Sequence, residues 1–532
     1  MTLFESIQRY EDRPDTALRF GNKSYSYRTF LSLVRKAVTY LRESGIGPGD
    51  VVTAALPNIP ANIVFFYALN AVGAVQNIVH PLMPMEQILE RMRERGSRHA
   101  LLLATAYGDN RDLFEGADEC FHFANPMYDV SPLKRHLFWT RYPRIPDGLH
   151  LRLLDRFRSC PEADTCGSHD EESDSVYLYS GGTTGVPKVI ALSDRSINRL
   201  AEKVLGEDGI VREDLGGKAM LAVLPTFHGF GLGMGVHAPL YWGACADLMM
   251  KFDAGQVVKW IRKDQLHMII GVPLLYQKLL KTESFASSAL KHLTHCFVGG
   301  DHVQPGLIAE FDGLMERYGS RCRLLEGYGL TETVTVCCVN RREEPRIGSV
   351  GKPLRGIEMD VLDENGERLP AGRIGELFVA GDTLMNGYLG DAEATEATLM
   401  NAGGRVWVRT GDLGFRDEDG YYFIKGRKKR LFIISGINVY PSEVEKAACE
   451  SEDIYDAAME YFETPKPHMI LYVLKSRTCG KTDAQICAET MARLEKKVIK
   501  YSMPRQVVVL AEFPKTRVGK IDHGAFRDVP EA

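Results

Sequence analysis

Short apolar runs that break off within two residues at glycine, proline or serine recur along this chain: Val176–Tyr179, Met220–Leu224, Met268–Val272 and Glu376–Val379. Between them stand segments with helical spacing. Phe30, Leu33, Val34, Ala37, Val38 and Leu41 fall on one helix face, and the turn Gly47-Pro48-Gly49-Asp50 then leads into the run Val51–Leu56. An apolar run without polar alternation suits a strand covered on both faces. The alternation predicts an α/β fold with buried sheets, with ligands at the loops that close the strands.

At 532 residues the chain is too long for one hydrophobic core, so more than one domain is expected. The strongest boundary signal is Lys425-Gly426-Arg427-Lys428-Lys429-Arg430, five of whose six residues are basic, followed by a predicted strand over Leu431–Ile434. It divides the chain into 1–426 and 427–532, a tail long enough for a small domain. Within the tail, Ser442 and Glu445 have the spacing of a capping box that opens a helix through Ala448, and a second helical stretch precedes Lys500. The polar segment Ser159–Ser175 reads as an exposed connection or a subdomain boundary. No internal repeat or low-complexity tract is found.

The longest apolar stretch, Ala61–Val79, is broken by Asn62, Asn70, Gly73, Gln76 and Asn77, which predicts a buried α/β segment and no transmembrane segment. A formal charge of −5, from 65 basic and 70 acidic residues, gives no general pull toward nucleic acid or anionic membranes, so any polyanion needs a local site. The eleven cysteines are scattered from Cys120 to Cys487, and the adjacent pair Cys337-Cys338 lacks zinc-ligand spacing. They read as reduced thiols of an intracellular, cytoplasmic protein, and the acid Glu5 near the start argues against a secretory signal.

The densest chemical signal is the loop Tyr179-Ser180-Gly181-Gly182-Thr183-Thr184-Gly185-Val186-Pro187-Lys188. Its glycines let backbone N–H groups approach a ligand, its three hydroxyls can donate to phosphate oxygens, and Lys188 adds a positive charge. Gly185 is followed by Val-Pro-Lys, so this is not the phosphate loop of kinases and ATPases. Read alone, it is a phosphate cradle or a plain turn.

Further along stand Leu224-Pro225-Thr226-Phe227-His228-Gly229, Gly327-Tyr328-Gly329-Leu330-Thr331-Glu332-Thr333, Thr410-Gly411-Asp412-Leu413-Gly414 and Pro514-Lys515-Thr516-Arg517-Val518-Gly519-Lys520-Ile521. In this order, together with the stretch Gly426 to Glu445, the set resembles the adenylate-forming superfamily of acyl-CoA synthetases, luciferases and nonribosomal adenylation domains. The resemblance spans nearly the whole chain. It implies a large N-terminal domain of α/β subdomains with stacked sheets and a small mobile α+β C-terminal domain.

The implied activity is ATP-dependent adenylation of a small-molecule carboxylic acid, with release of pyrophosphate, and transfer of the acyl group to coenzyme A. The serious alternative is a stand-alone ligase that loads the thiol of an acyl or peptidyl carrier protein. ATP, Mg²⁺ and coenzyme A are the implied cofactors. By the same resemblance Ser180, Gly181, Gly182, Thr183, Thr184, Gly185 and Lys188 hold the ATP phosphates. Tyr328 stacks on adenine beside Gly329, Thr331 meets the α-phosphate, Glu332 and Thr184 hold Mg²⁺, and Asp412 with Arg427 takes the ribose.

Phe227, His228, Gly229, Gly300 and Gly327 form the implied acyl site, Lys429 is the hinge, and Ser435 and Gly436 approach coenzyme A. Lys520 neutralises charge as carboxylate meets α-phosphate, in a reaction that needs positioning and no protein nucleophile. The remaining basic residues near Lys429 read as solvated linker. Gly229, Gly231, Gly233 and Gly235 alternate, which a roomy acyl channel and close helix packing both explain.

Three features depart from the family's pattern. Asp194 replaces its usual histidine, Val189 a common glycine, and Ala457–Leu474 reads as short, without the usual glycine turn. The stretch after His228 has no acid to grip a substrate ammonium, which disfavours amino-acid activation. Retention of Lys520, Glu332 and Asp412 disfavours a catalytically silent nucleotide-binding scaffold.

Overall fold

The computed structural model describes all residues except 147, 149, 168, 181–186, 208–209, 435–436, 463–467, 477–478, 516–520 and 529–532. Among them, strands assemble into a nine-stranded sheet and an eight-stranded sheet in the large part of the chain. The first contains Ala219–Ala222, Met268–Gly271, His295–Val298 and Leu324–Gly329, which pair in parallel in that order. The second contains Val51–Ala55, Val75–Ile78 and Asp174–Tyr179.

Successive side chains of these strands go to opposite cores, as a period of two requires. Met268, Ile270, Phe297 and Leu325 join the main core. Ile269, Cys296, Val298 and Leu324 join a second core beneath the other face. The uninterrupted apolar runs are thus explained by burial on both sides. Val176 and Leu178 of the other sheet enter the same main core, so it lies between the two sheets.

Helix Pro60–Ala71 fills part of that space, and all twelve of its residues are buried. The predicted buried segment from Ala61 to Val79 is therefore this helix followed by the strand Val75–Ile78. Its asparagines are satisfied internally: Asn62 Nδ2 donates to Thr226 Oγ1 at 3.1 Å and Asn70 Nδ2 to Asp194 at 2.8 Å. Among the described residues no helix is long and apolar enough to cross a membrane.

Ser159–Ser175 is a connection that delivers the chain to the strand beginning at Asp174, with a short 3₁₀ turn ending at Ser159. Asp194, the departure noted above, is fully buried, accepts from Leu3 N, and lies 2.8 Å from His169 Nε2. It ties the amino-terminal helix Leu3–Gln8 to the body of the protein and carries no chemistry of the cleft.

A five-stranded sheet ends with Arg405–Arg416 and Tyr422–Arg427, and the chain then enters a smaller unit with its own cores. That unit pairs Ile454–Phe462 antiparallel to His468–Lys475 and adds Gln506–Leu510 in parallel, with helices Pro441–Cys449 and Asp483–Lys497. The segment read as short in sequence forms an unbroken ladder out to Phe462 and His468, so its core is not truncated.

The expected capping box at Ser442 does not form. Pro441 takes the first helical turn, which makes Tyr440 the cap, and Ser442 Oγ instead donates to the Lys425 carbonyl. Glu445 pairs with Arg430 at 2.8 Å. A capping box stands one helix later, where Thr482 and Gln485 exchange both bonds.

Candidate active site

One cleft of about 2180 Å³ opens at the carboxyl ends of the parallel strands, between the large and small parts of the protein. Every expected site residue among the described ones lines it. Gly181, Gly182, Thr183, Thr184, Gly185, Ser435, Gly436 and Lys520 lie outside the described residues.

Strand Asp174–Tyr179 leads into Ser180, which two bonds tie to Lys188. Ser180 N donates to the Lys188 carbonyl at 2.9 Å and Lys188 N to Ser180 Oγ at 3.0 Å. The Lys188 ammonium sits 4.4 Å from the centre of the Tyr388 ring, and Tyr388 donates to Glu332 Oε1 at 2.8 Å. Burial, with the Glu332 charge beside it, pushes the Tyr388 phenol up, so it stays a donor. One ring thus places a cation and a carboxylate together.

Glu332 lies in a 3₁₀ turn, Thr331–Thr333, after which Val334 takes a φ of 63°. A β-branched residue rarely adopts that conformation, at a cost of order 1–3 kcal/mol. It is held by packing: Val334 is fully buried, and its carbonyl lies directly against Gly229. Glu332 is the carboxylate available to a hard cation. Among the described residues no cluster of three metal-ligating side chains exists. Mg²⁺ fits such a site, because it takes one or two carboxylates and completes its shell with phosphate oxygens and water.

Across the cleft, Tyr328 donates to Asp412 Oδ2 at 2.5 Å, and Arg427 Nε meets Asp412 Oδ1 at 2.8 Å. Asp412 and Arg427 face each other across antiparallel strands, so backbone register sets this pair. Burial and the Asp412 charge raise the Tyr328 phenol far above its usual range. Nearby, Glu376 accepts from Lys428 at 2.8 Å and Arg409 at 3.2 Å. Burial opposes ionisation of Glu376, but these two cations outweigh it and hold its carboxyl below the usual value.

The basic run at 425–430 is largely paired, with Lys425 on Glu443 and Arg430 on Glu445, while the exposed Lys429 has no ion-pair partner among the described residues.

The segment from Leu224 to Gly229 is pinned from behind by Asn58 and Asn62, which donate to the Leu224 carbonyl and to Thr226. Phe227 is thereby held between His80, at 4.4 Å, and His228, at 4.7 Å, both rings tilted against it. The glycines beyond it form a buried π-helical stretch, Phe230–His237. A Cβ on Gly229 would strike the Val334 carbonyl, and one on Gly231 the Pro225 carbonyl. Close packing therefore accounts for these glycines. Beside them the cleft is apolar, lined by Met234, Ile270, Val272, Phe297 and Val336.

From the small unit, Lys515 and Ile521 are bridged to each other and both line the cleft. They bracket residues 516–520. Glu326 was not anticipated from the sequence. It stands two residues before Tyr328 on one strand, hence on the same face, and its Oε2 is buried with no hydrogen-bond partner among the described residues. Burial pushes its carboxyl up to about 8, against the opposing charge of Lys446. An acid inside an otherwise apolar and glycine-rich strand was the available signal.

Comparison with known proteins agrees with this geometry. The long-chain-fatty-acid–CoA ligase of Bacillus subtilis (strain 168) is 27% identical over 98% of this chain and 92% of its own length. The 4-coumarate–CoA ligase 2 of Nicotiana tabacum is 27% identical over 97% and 92%. The crystal structure of ATP-bound MatB from Rhodopseudomonas palustris superposes with a TM-score of 0.83 at 20% identity, covering 99% of this chain and 100% of that one. Residues 3–389 match the model of the AMP-binding enzymes, and the chain belongs to that family.

Proposed function

We propose that the protein is an AMP-forming acid–thiol ligase that adenylates an apolar carboxylic acid and passes the acyl group to coenzyme A. The observation that carries this reading is the convergence, on one cleft, of the Ser180–Lys188 loop base, the Glu332–Tyr388–Lys188 cluster, the Tyr328–Asp412–Arg427 chain and an apolar pocket. The CoA ligases among its relatives support the same reaction.

A carboxylate oxygen leaves as oxide only at prohibitive cost, so it must first become part of a phosphate ester. The acid attacks the α-phosphorus of ATP, the bond to pyrophosphate breaks, and an acyl adenylate forms. The thiol then attacks the acyl carbon and AMP leaves with the bonding pair. Lys188 and Lys520, the latter between Lys515 and Ile521 in sequence, offset the charge gathered at the phosphates. Glu332 holds Mg²⁺ on them. Tyr328 presents its ring to the adenine, and Asp412 with Arg427 fixes the ribose. Residues 1–426 form the adenylation domain and 427–532 the mobile domain, which pivots at Lys429.

The apolar lining by Met234, Ile270, Val272 and Phe297 fits an acid with an apolar tail and disfavours a second carboxylate. ATP–pyrophosphate exchange across aliphatic, aromatic and dicarboxylic acids tests this. Apolar acids should support exchange, and coenzyme A should then yield the thioester. No exchange with any acid would overturn adenylation. AMP release with a carrier protein but not with coenzyme A would favour the carrier-loading alternative.

A further inference from the structure

We propose that the outward face of helix Pro132–Arg141 docks on an anionic lipid bilayer, with Leu133 and Leu137 entering the interface and Lys134 and Arg141 meeting the headgroups. Leu133 is 67% exposed and Leu137 52%, one helical turn apart. The opposite face is anchored, with Phe138 buried and stacked 4.7 Å from Tyr142, in a satellite core of the eight-stranded sheet. The exposed leucines are therefore presented by a rigid element.

Between Asp129 and Asp147 the charged residues in sequence are all basic. Residues 131–146 contain Lys134, Arg135, Arg141 and Arg144 and no acid, in a chain whose formal charge is −5. Among the described residues, no acid pairs with Lys134, Arg141 or Arg144. Unpaired cations flanking two outward leucines match a surface that offers negative charge and hydrocarbon together. Nucleic acid would supply the charge but leave the leucines unburied.

The anchored face of the helix also leads toward Phe227 of the cleft. Met83 packs into the same cluster as Phe138, and three residues earlier His80 lies tilted against Phe227.

The test is co-sedimentation of the full chain with phosphatidylcholine vesicles and with vesicles containing phosphatidylglycerol, at low and high salt. The protein should pellet with the anionic vesicles only, and salt should weaken binding. The double variants Leu133→Ala/Leu137→Ala and Lys134→Glu/Arg141→Glu should each lose binding by roughly tenfold or more, with exchange activity and melting temperature unchanged. Absent binding, equal binding to neutral vesicles, unchanged binding by both variants, or capture by an acidic protein without vesicle binding would each overturn the proposal.

Discussion

The Tyr328 phenol donates to Asp412 Oδ2 at 2.5 Å, from a ring that also lines the cleft. Asp412 is only 3% exposed and holds Arg427 through its other oxygen, so one buried carboxylate positions two groups of the site. Tyr328→Phe keeps the ring and removes one donor to a charged acceptor, a loss of about 1–3 kcal/mol. The KM for ATP in the exchange assay should rise about fivefold or more. Asp412→Asn should cost more, because it also breaks the pair with Arg427; an unchanged KM in both variants would dissociate the chain from nucleotide binding.

The glycines after His228 give a sharper structural test, because neighbours in the same stretch have different surroundings. Gly229→Ala drives a Cβ into the Val334 carbonyl, and backbone cannot yield as a side chain can. Gly235→Ala meets Ile270 Cδ1 at 3.4 Å, ordinary contact distance. Gly229→Ala should therefore destabilise by about 1–3 kcal/mol and depress exchange, since Val334 follows directly on the turn that carries Glu332. Gly235→Ala should melt like the parent. Equal melting of the two variants would contradict the packing account.

The α/β architecture was legible because burial on both faces leaves its mark as unbroken apolar runs, seen at Met268–Gly271, which divides its side chains between two cores. The cleft was legible because its groups sit in short contiguous motifs whose local sequence carries the chemistry. What sequence could not convey was decided by partners remote along the chain. Ser442 has the spacing of a cap, but Pro441 occupies the helix start and Lys425, seventeen residues back, takes its hydroxyl. Glu326 reads as one more acid until the fold buries its Oε2 with no hydrogen-bond partner among the described residues. The alternating glycines suggested a channel as readily as a packed helix, and only the approach of the Val334 carbonyl separates the two.

Lys520 should matter in one half-reaction only. Lys520→Ala should lower exchange by a factor on the order of 10² or more, while thioester formation from preformed acyl adenylate and coenzyme A stays within about twofold of the parent. Equal loss in both half-reactions would remove its assignment to the first.

The small unit is held in its observed orientation partly by Tyr455, which donates to Gln277 Oε1 at 2.6 Å on the large unit. Tyr455 is 38% exposed, so Tyr455→Phe should leave stability nearly unchanged. Adenylation should slow by roughly two- to fivefold, and thioester formation from preformed adenylate should not, because the pivot proposed at Lys429 would break this contact. Equal slowing of both steps would show that the contact does not favour one orientation.

Glu326 makes stability depend on pH with a definite sign. Burial raises its carboxyl from 4.5 to about 8, so between these values the unfolded chain has released a proton that the folded protein retains. Folding then binds a proton, and stability falls as pH rises from about 4.5 to 8, levelling once the folded carboxyl also ionises. The total is at most a few kcal/mol. Glu326→Gln keeps the shape and removes the proton, so its melting temperature should decline less than the parent's between pH 5 and 8. Saturating ATP should flatten the parent's profile too, because a nucleotide N–H donor reaching Oε2 would lower the cost of ionising it. Parallel melting profiles for parent and variant would show that Glu326 is solvated in the folded protein.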